Sequence, residues 1–140
     1  MFTAAHSALL FTVLTLATTA YFFMGGLPLL ILKHDVPLDA RFVCSFFRLY
    51  YRLAFVTTTG LTVSHALAGE RWLTAGAAGL LLTTLGVRSL LIPAMRLYGD
   101  AIQGQDQEAL RRFRQVHTTV LGIILAEVAL IIASLSLLKF

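Results

Sequence analysis

The sequence predicts an all-α integral membrane protein: an antiparallel four-helix bundle with both termini on the non-cytoplasmic side. Three observations predict it. First, 58% of the 140 residues are hydrophobic and only 13% are charged, whereas a soluble domain of this size is nearer half apolar and a quarter charged. A small soluble core has too much surface to hide that surplus. Second, the apolar residues fall into four runs of roughly the 20 residues a helix needs to cross a bilayer. Third, the basic residues divide unevenly between the two sides those runs define.

The first run is expected at residues 8–32 and ends at the polar loop "KHDVPLDAR". No Lys or Arg precedes it, and it is too long for a cleavable signal, so it is expected to stay as a span. Pro28 follows Gly25 and Gly26 in this run and predicts a kink, because proline removes a backbone donor. Thr12, Thr15, Thr19 and Gly26 share one ridge. The second span is expected at 49–68, with a helical lead-in from Phe42, and it stops at "GER". Thr58, Thr62 and His65 share one of its ridges, and such hydroxyls can bond their own helix or a neighbour's. The third span, 72–91, continues through "IPAMRLYGD", where Pro93 predicts a bend; Ala75, Gly79, Thr83 and Gly86 form a small-residue seam along it. The polar, mostly helix-forming "GDAIQGQDQEALRRFRQ" leads to the fourth span, 117–138. The four runs make one domain over residues 1–140.

Lys33, Arg41, Arg48, Arg52, Arg88, Arg96, Arg111, Arg112 and Arg114 lie on one side, and only Arg71 and Lys139 on the other. An excess of Lys and Arg marks cytoplasmic loops, so a multi-pass protein of a cell inner membrane is expected. Trp72 fits an outer interfacial anchor, and Tyr50, Tyr51 and Tyr98 fit inner ones. Arg48, Arg52, Arg96, Arg111, Arg112 and Arg114 are candidates for contact with anionic lipid or an acidic partner, since basic clusters at the inner surface attract such headgroups.

The most unusual residue is Glu127, about ten residues from His117 and about twelve from Lys139, within "VLGIILAEVALIIASL". Ionisable groups at that depth are rare and are usually functional or paired. Gly122, Ala126, Ala129 and Ala133 recur at helical spacing as a small seam. At about 100° per residue, Glu127 points about 130° from the centre of that seam, with Ser134 on the Glu127 ridge. If the seam faces the bundle, Glu127 faces lipid or a neighbour; if Glu127 faces the bundle, the seam faces a partner helix. A helix with two specialised faces predicts a partner: another copy or a different membrane subunit. Glu127, Ser134, Gly122, Ala126, Ala129 and Ala133 are the contact candidates, with Glu127 itself favoured as a contact on the second face. Arg88 is the obvious counter-charge, but its side chain is expected to snorkel away toward the interface.

No HExxH, P-loop, GxSxG or dinucleotide fingerprint is present, so no catalytic residue is singled out. The single cysteine, Cys44, forms no internal disulfide, and no Cys/His spacing resembles a zinc site, so no metal is expected. Haem needs axial ligands on facing helices; His65 and His117 are the candidates for a haem or porphyrin, and no other cofactor is expected.

"FMGGLPLLIL", "FFRLYYRLAF", "LIPAMRLYGD" and "RRFRQVHTTVLG" together resemble bacterial four-span membrane domain-of-unknown-function families. In those families a Pro and an Arg end the third helix and a Phe and a His begin the fourth; Pro93, Arg96, Phe113 and His117 stand at the matching positions. A second similarity is to four-span haem-binding protoporphyrinogen oxidases and copper-resistance membrane proteins, which carry a histidine inside the first span. The expectation is thus a non-catalytic accessory or assembly subunit docked on a larger membrane complex, with a haem-binding redox protein as the alternative. No nucleic-acid partner is expected, because the basic residues flank apolar segments.

Overall fold

The computed structural model describes residues 3–34, 36–102 and 106–137. Helix α1, Ala4–Leu29, opens on a capping box in which Thr3 and His6 bond each other's backbone amides, satisfying two of the donors a helix start leaves free. Along α1 the hydroxyls of Thr12, Thr15 and Thr19 each donate to the carbonyl four residues back, at 2.7 Å. All three are therefore satisfied within their own helix and can be buried against α2 and α5. Pro28, where a kink is expected, lies close to the end of α1. It sits in the final turn, where the amides of Leu30 and Ile31 bond back only three residues, to Leu27 and Pro28, and the helix stops.

Helix α2, Pro37–Leu67, is one continuous rod of 31 residues with proline in its first turn, where the missing amide costs nothing. It stops at a two-bond motif: Gly69 N–H reaches the Ala66 carbonyl and Glu70 N–H the His65 carbonyl, both at 3.1 Å. Gly69 adopts φ +77°, the left-handed conformation that ends helices most cheaply at glycine. Its replacement by alanine is expected to lower stability by about 1 kcal/mol, read as a lower unfolding midpoint in detergent. An unchanged midpoint would show that the turn does not depend on this residue.

That tight turn lays helix α3, Arg71–Gly86, alongside α2. A single π turn, Val87–Leu91, then joins α3 to α4, Ile92–Ala101. The bend expected at Pro93 takes this form: Ile92 N–H reaches back five residues to Val87, and the extra residue shifts which face points inward. Buried positions run Leu73, Ala77 and Thr84 before it, Val87 within it, then Ile92, Met95 and Gly99 after it. Helix α5, Gln107–Leu135, is capped by Asp106, whose carboxylate accepts from Ala109 N–H at 3.1 Å. It runs unbroken from the polar loop, so the predicted fourth span is its apolar continuation.

The four rods, α1, α2, α3–α4 and α5, pack antiparallel. Neighbouring pairs are α1 with α2, α2 with α3 and α4, α4 with α5, and α5 with α1. The ring is closed where α4 meets α5. At the other end α3 has no extended contact with α5, leaving a cleft of about 250 Å³ between them that is lined by residues including Leu73, Gly76, Ala77, Ile131 and Ala133. The core lies toward the closed end, built on Val43, Phe47, Tyr50, Tyr51, Met95, Phe113, Val120 and Ile124. Tyr50 and Tyr51 are 1% and 0% exposed, which corrects their expected place as interfacial anchors: the "LYYR" stretch turns both rings into the bundle, while Arg48 and Arg52 remain outside. Trp72, by contrast, is fully open at 89%.

The rods α1, α3–α4 and α5 are each long and apolar enough to cross a membrane, and the chain is a multi-pass helical membrane protein. The centrally packed α2 is the more polar rod, with Arg41, Arg48 and Arg52 in its first half.

Candidate functional site

Glu127 is turned into the bundle. It lies on the inward stripe of α5, which also carries Ala109, Phe113, His117, Val120, Ile124 and Ile131. Across the bundle Tyr50 donates its hydroxyl to the Glu127 carboxyl at 3.1 Å, and the same hydroxyl lies 3.5 Å from Thr19 Oγ1. One cluster thus joins α1, α2 and α5 at mid-depth. The other carboxyl oxygen of Glu127 and the Tyr51 hydroxyl are also buried, and neither has a hydrogen-bond partner among the described residues.

Of the two orientations open from sequence, this is the one that sends the small seam outward. Gly122, Ala126, Ala129 and Ala133 are all exposed, and Ser134, half-buried, donates back to the Ile131 carbonyl at 2.7 Å. Glu127 as an outward contact residue does not fit this placement, because its side of α5 is the stripe that meets α1 and α4. Ala75, Gly79 and Thr83 on α3 are likewise exposed. Arg88 lies over the Phe55 ring, 5.7 Å from its centroid, and no ion pair joins it to Glu127.

The histidines separate by depth. His65 is buried beside Thr12 at 3.5 Å. His117 packs against His34, ring centroids 5.5 Å apart, with Phe47 and Phe113 around it. Thr12 and the end of α1 at Leu29 are roughly 25 Å apart along the helix, so His65 and His117 occupy opposite ends of the bundle and do not form an axial pair. Among the described residues no three metal-ligating side chains converge.

The arginines also divide. Arg111 and Arg112 pair with Glu108 at 3.2 and 2.8 Å, Arg112 lies over Tyr98, and Arg114 donates to the Lys33 carbonyl at 2.7 Å. These bonds tie α5 to itself, to α4 and to the first loop. Arg96 is 3.8 Å from Asp100. Arg41 and Arg48 make no ion pair among the described residues, and Arg52 is exposed. Sequence reasoning missed Tyr50 as the partner of Glu127 and Thr19 as the neighbour of the Tyr50 hydroxyl. The expected second run starts at residue 49, beside Tyr50, and only the extension of α2 back to Pro37 brings Tyr50 level with Glu127.

No family model, curated protein or solved structure matches the chain. What the fold shows is a helical bundle with three membrane-length apolar helices.

Proposed function

We propose that the chain is a small non-catalytic subunit that docks on a larger membrane complex through the outward small faces of α5 and α3. In this reading α2 crosses as the fourth span, and the basic loops lie on the cytoplasmic side of a bacterial inner membrane. One observation carries the proposal. A Cβ built at Gly76, Gly79, Gly86 or Gly122 would meet nothing within 4 Å, whereas one at Gly25, Gly26, Gly60 or Gly99 would press on a neighbouring helix. The second group is used inside the bundle and the first is not. Lipid gives helices no hydrophobic reason to associate, so small residues matter where another backbone comes close. Gly76 and Ala133 line the same open cleft, so one incoming helix can meet both faces.

A gentle-detergent pull-down with mass spectrometry tests this. Gly122→Leu and Ala129→Leu are expected to leave helix content and unfolding midpoint unchanged and to reduce the co-purifying subunit at least several-fold. Undiminished comigration in both variants would sink the proposal. Crosslinking of the chain to itself alone would assign the face to a second copy.

A further inference from the structure

At the closed end, α2 and α4 diverge around a cleft of about 600 Å³. Arg41, Ser45 and Arg48 follow one another along α2 at helical spacing on one wall; Arg96, Gly99 and Asp100 face them from α4. Its floor is a close approach, since a Cβ at Gly99 would lie 3.2 Å from both Ala40 Cβ and the Phe113 ring. The π turn makes this possible by bringing Gly99 inward and leaving Arg96 and Asp100 on the cleft side. Against three guanidinium groups the wall offers one carboxylate, Asp100, which is loosely paired with Arg96. Both of those side chains are more than half exposed, so the pair contributes little. Helix α2 starts on the rim at Pro37, with Asp39 in its first turn.

A second groove, of about 360 Å³, adjoins it. Arg48, Arg96 and Asp100 are common to both, but the remaining walls here are Ile92, Pro93 and Leu97. Polarity therefore falls along α4 from Asp100 toward Ile92, the direction in which the helix enters the apolar layer. A free phosphate compound needs only the first cleft; an amphiphile uses both. We infer that the α2–α4 cleft binds the phosphate headgroup of an anionic phospholipid between Arg41, Arg48 and Arg96, with acyl chain laid over Ile92, Pro93 and Leu97.

The test is lipid retention by the purified full chain in mixed micelles of phosphatidylglycerol and phosphatidylcholine, read by mass spectrometry. The native chain is expected to retain phosphatidylglycerol preferentially. Arg41→Gln/Arg48→Gln is expected to weaken retention roughly 25-fold, about fivefold per charge near the surface. Arg111→Gln/Arg112→Gln, with the same loss of charge outside the cleft, should leave it unchanged. Asp100→Asn, which removes the competing carboxylate, should strengthen it, a gain that misfolding does not produce. Equal losses in the two double variants would overturn the site in favour of general surface attraction. So would displacement of the lipid by glycerol phosphate at equal concentration, or weaker retention in Asp100→Asn.

Discussion

Glu127→Leu is expected to lower the stability of the bundle by about 1–3 kcal/mol, while Glu127→Gln stays within about 1 kcal/mol of the native chain. The difference follows from what Tyr50 needs. Its hydroxyl is buried and donates to the carboxyl at 3.1 Å; the alternative oxygen, Thr19 Oγ1, lies at 3.5 Å, and Thr19's own proton is committed to the Thr15 carbonyl. Leucine takes away the acceptor and leaves the Tyr50 hydroxyl without its partner in an apolar interior; the Tyr51 hydroxyl bonds to no described residue in either case. A buried polar group without a partner costs about 1–3 kcal/mol. Glutamine keeps a carbonyl oxygen where Oε2 stands, so the Tyr50 hydroxyl keeps its acceptor. Tyr50→Phe removes the same bond from the other side and should cost about 1–3 kcal/mol. Because the two residues share one interaction, Glu127→Leu/Tyr50→Phe should cost less than the sum of the single changes. Reversible unfolding in detergent followed by circular dichroism measures all four variants. Leucine as stable as glutamine, with loss of a co-purifying subunit, would put Glu127 back on a docking face.

The outcome at Glu127 shows where the sequence was informative and where it was not. Of the four expected apolar runs three stand in rods long and apolar enough to span, α2 being the exception. The four helices, their breaks and the antiparallel order were legible because helix length and loop polarity are properties of a single segment. So was the end of α2, since glycine before "ER" is a cheap left-handed stop. Orientation about a helix axis was not legible in the same way. In water the apolar stripe marks the buried face, but in lipid both faces of α5 are apolar, and only the angle between Glu127 and the seam could be read. Tyr50 and Tyr51 were misplaced for a related reason. Tyrosine near arginine fits a headgroup layer, yet α2 extends as helix back to Pro37, which puts the pair inside the bundle. The π turn had no signal of its own beyond Pro93, and with it went the position of Gly99 and the shape of the α2–α4 cleft. Arg48 and Arg96 were singled out as residues, while their common wall depended on that turn.

Glycines posed the same problem most sharply, and Gly26→Leu is the change that separates their two roles. Gly26 lies where α1 crosses α5. A Cβ there would stand 2.6 Å from Leu121 Cδ2 and 3.2 Å from the tip of the Phe47 ring. Both neighbours are themselves buried. Phe47 is 0% exposed and Leu121 4%, and Phe47 is itself packed edge-on against His117. Adding a whole side chain to a filled interior typically costs about 1–3 kcal/mol, and more where the backbone must move. Here the helices themselves must part, which also pulls Thr19 away from the Tyr50–Glu127 bond a few turns along. Gly26→Leu is therefore expected to lose about 3 kcal/mol or more, and Gly26→Ala to fall between it and the native chain. Gly122→Leu, with nothing within 4 Å of its Cβ, should unfold with the native chain. The same substitution at two glycines of one bundle thus gives opposite readouts, folding lost at one and docking lost at the other. Equal unfolding midpoints for Gly26→Leu and Gly122→Leu would mean that α1 and α5 do not meet at Gly26. The inward placement of Glu127 would then lose its support as well, because both depend on the same crossing.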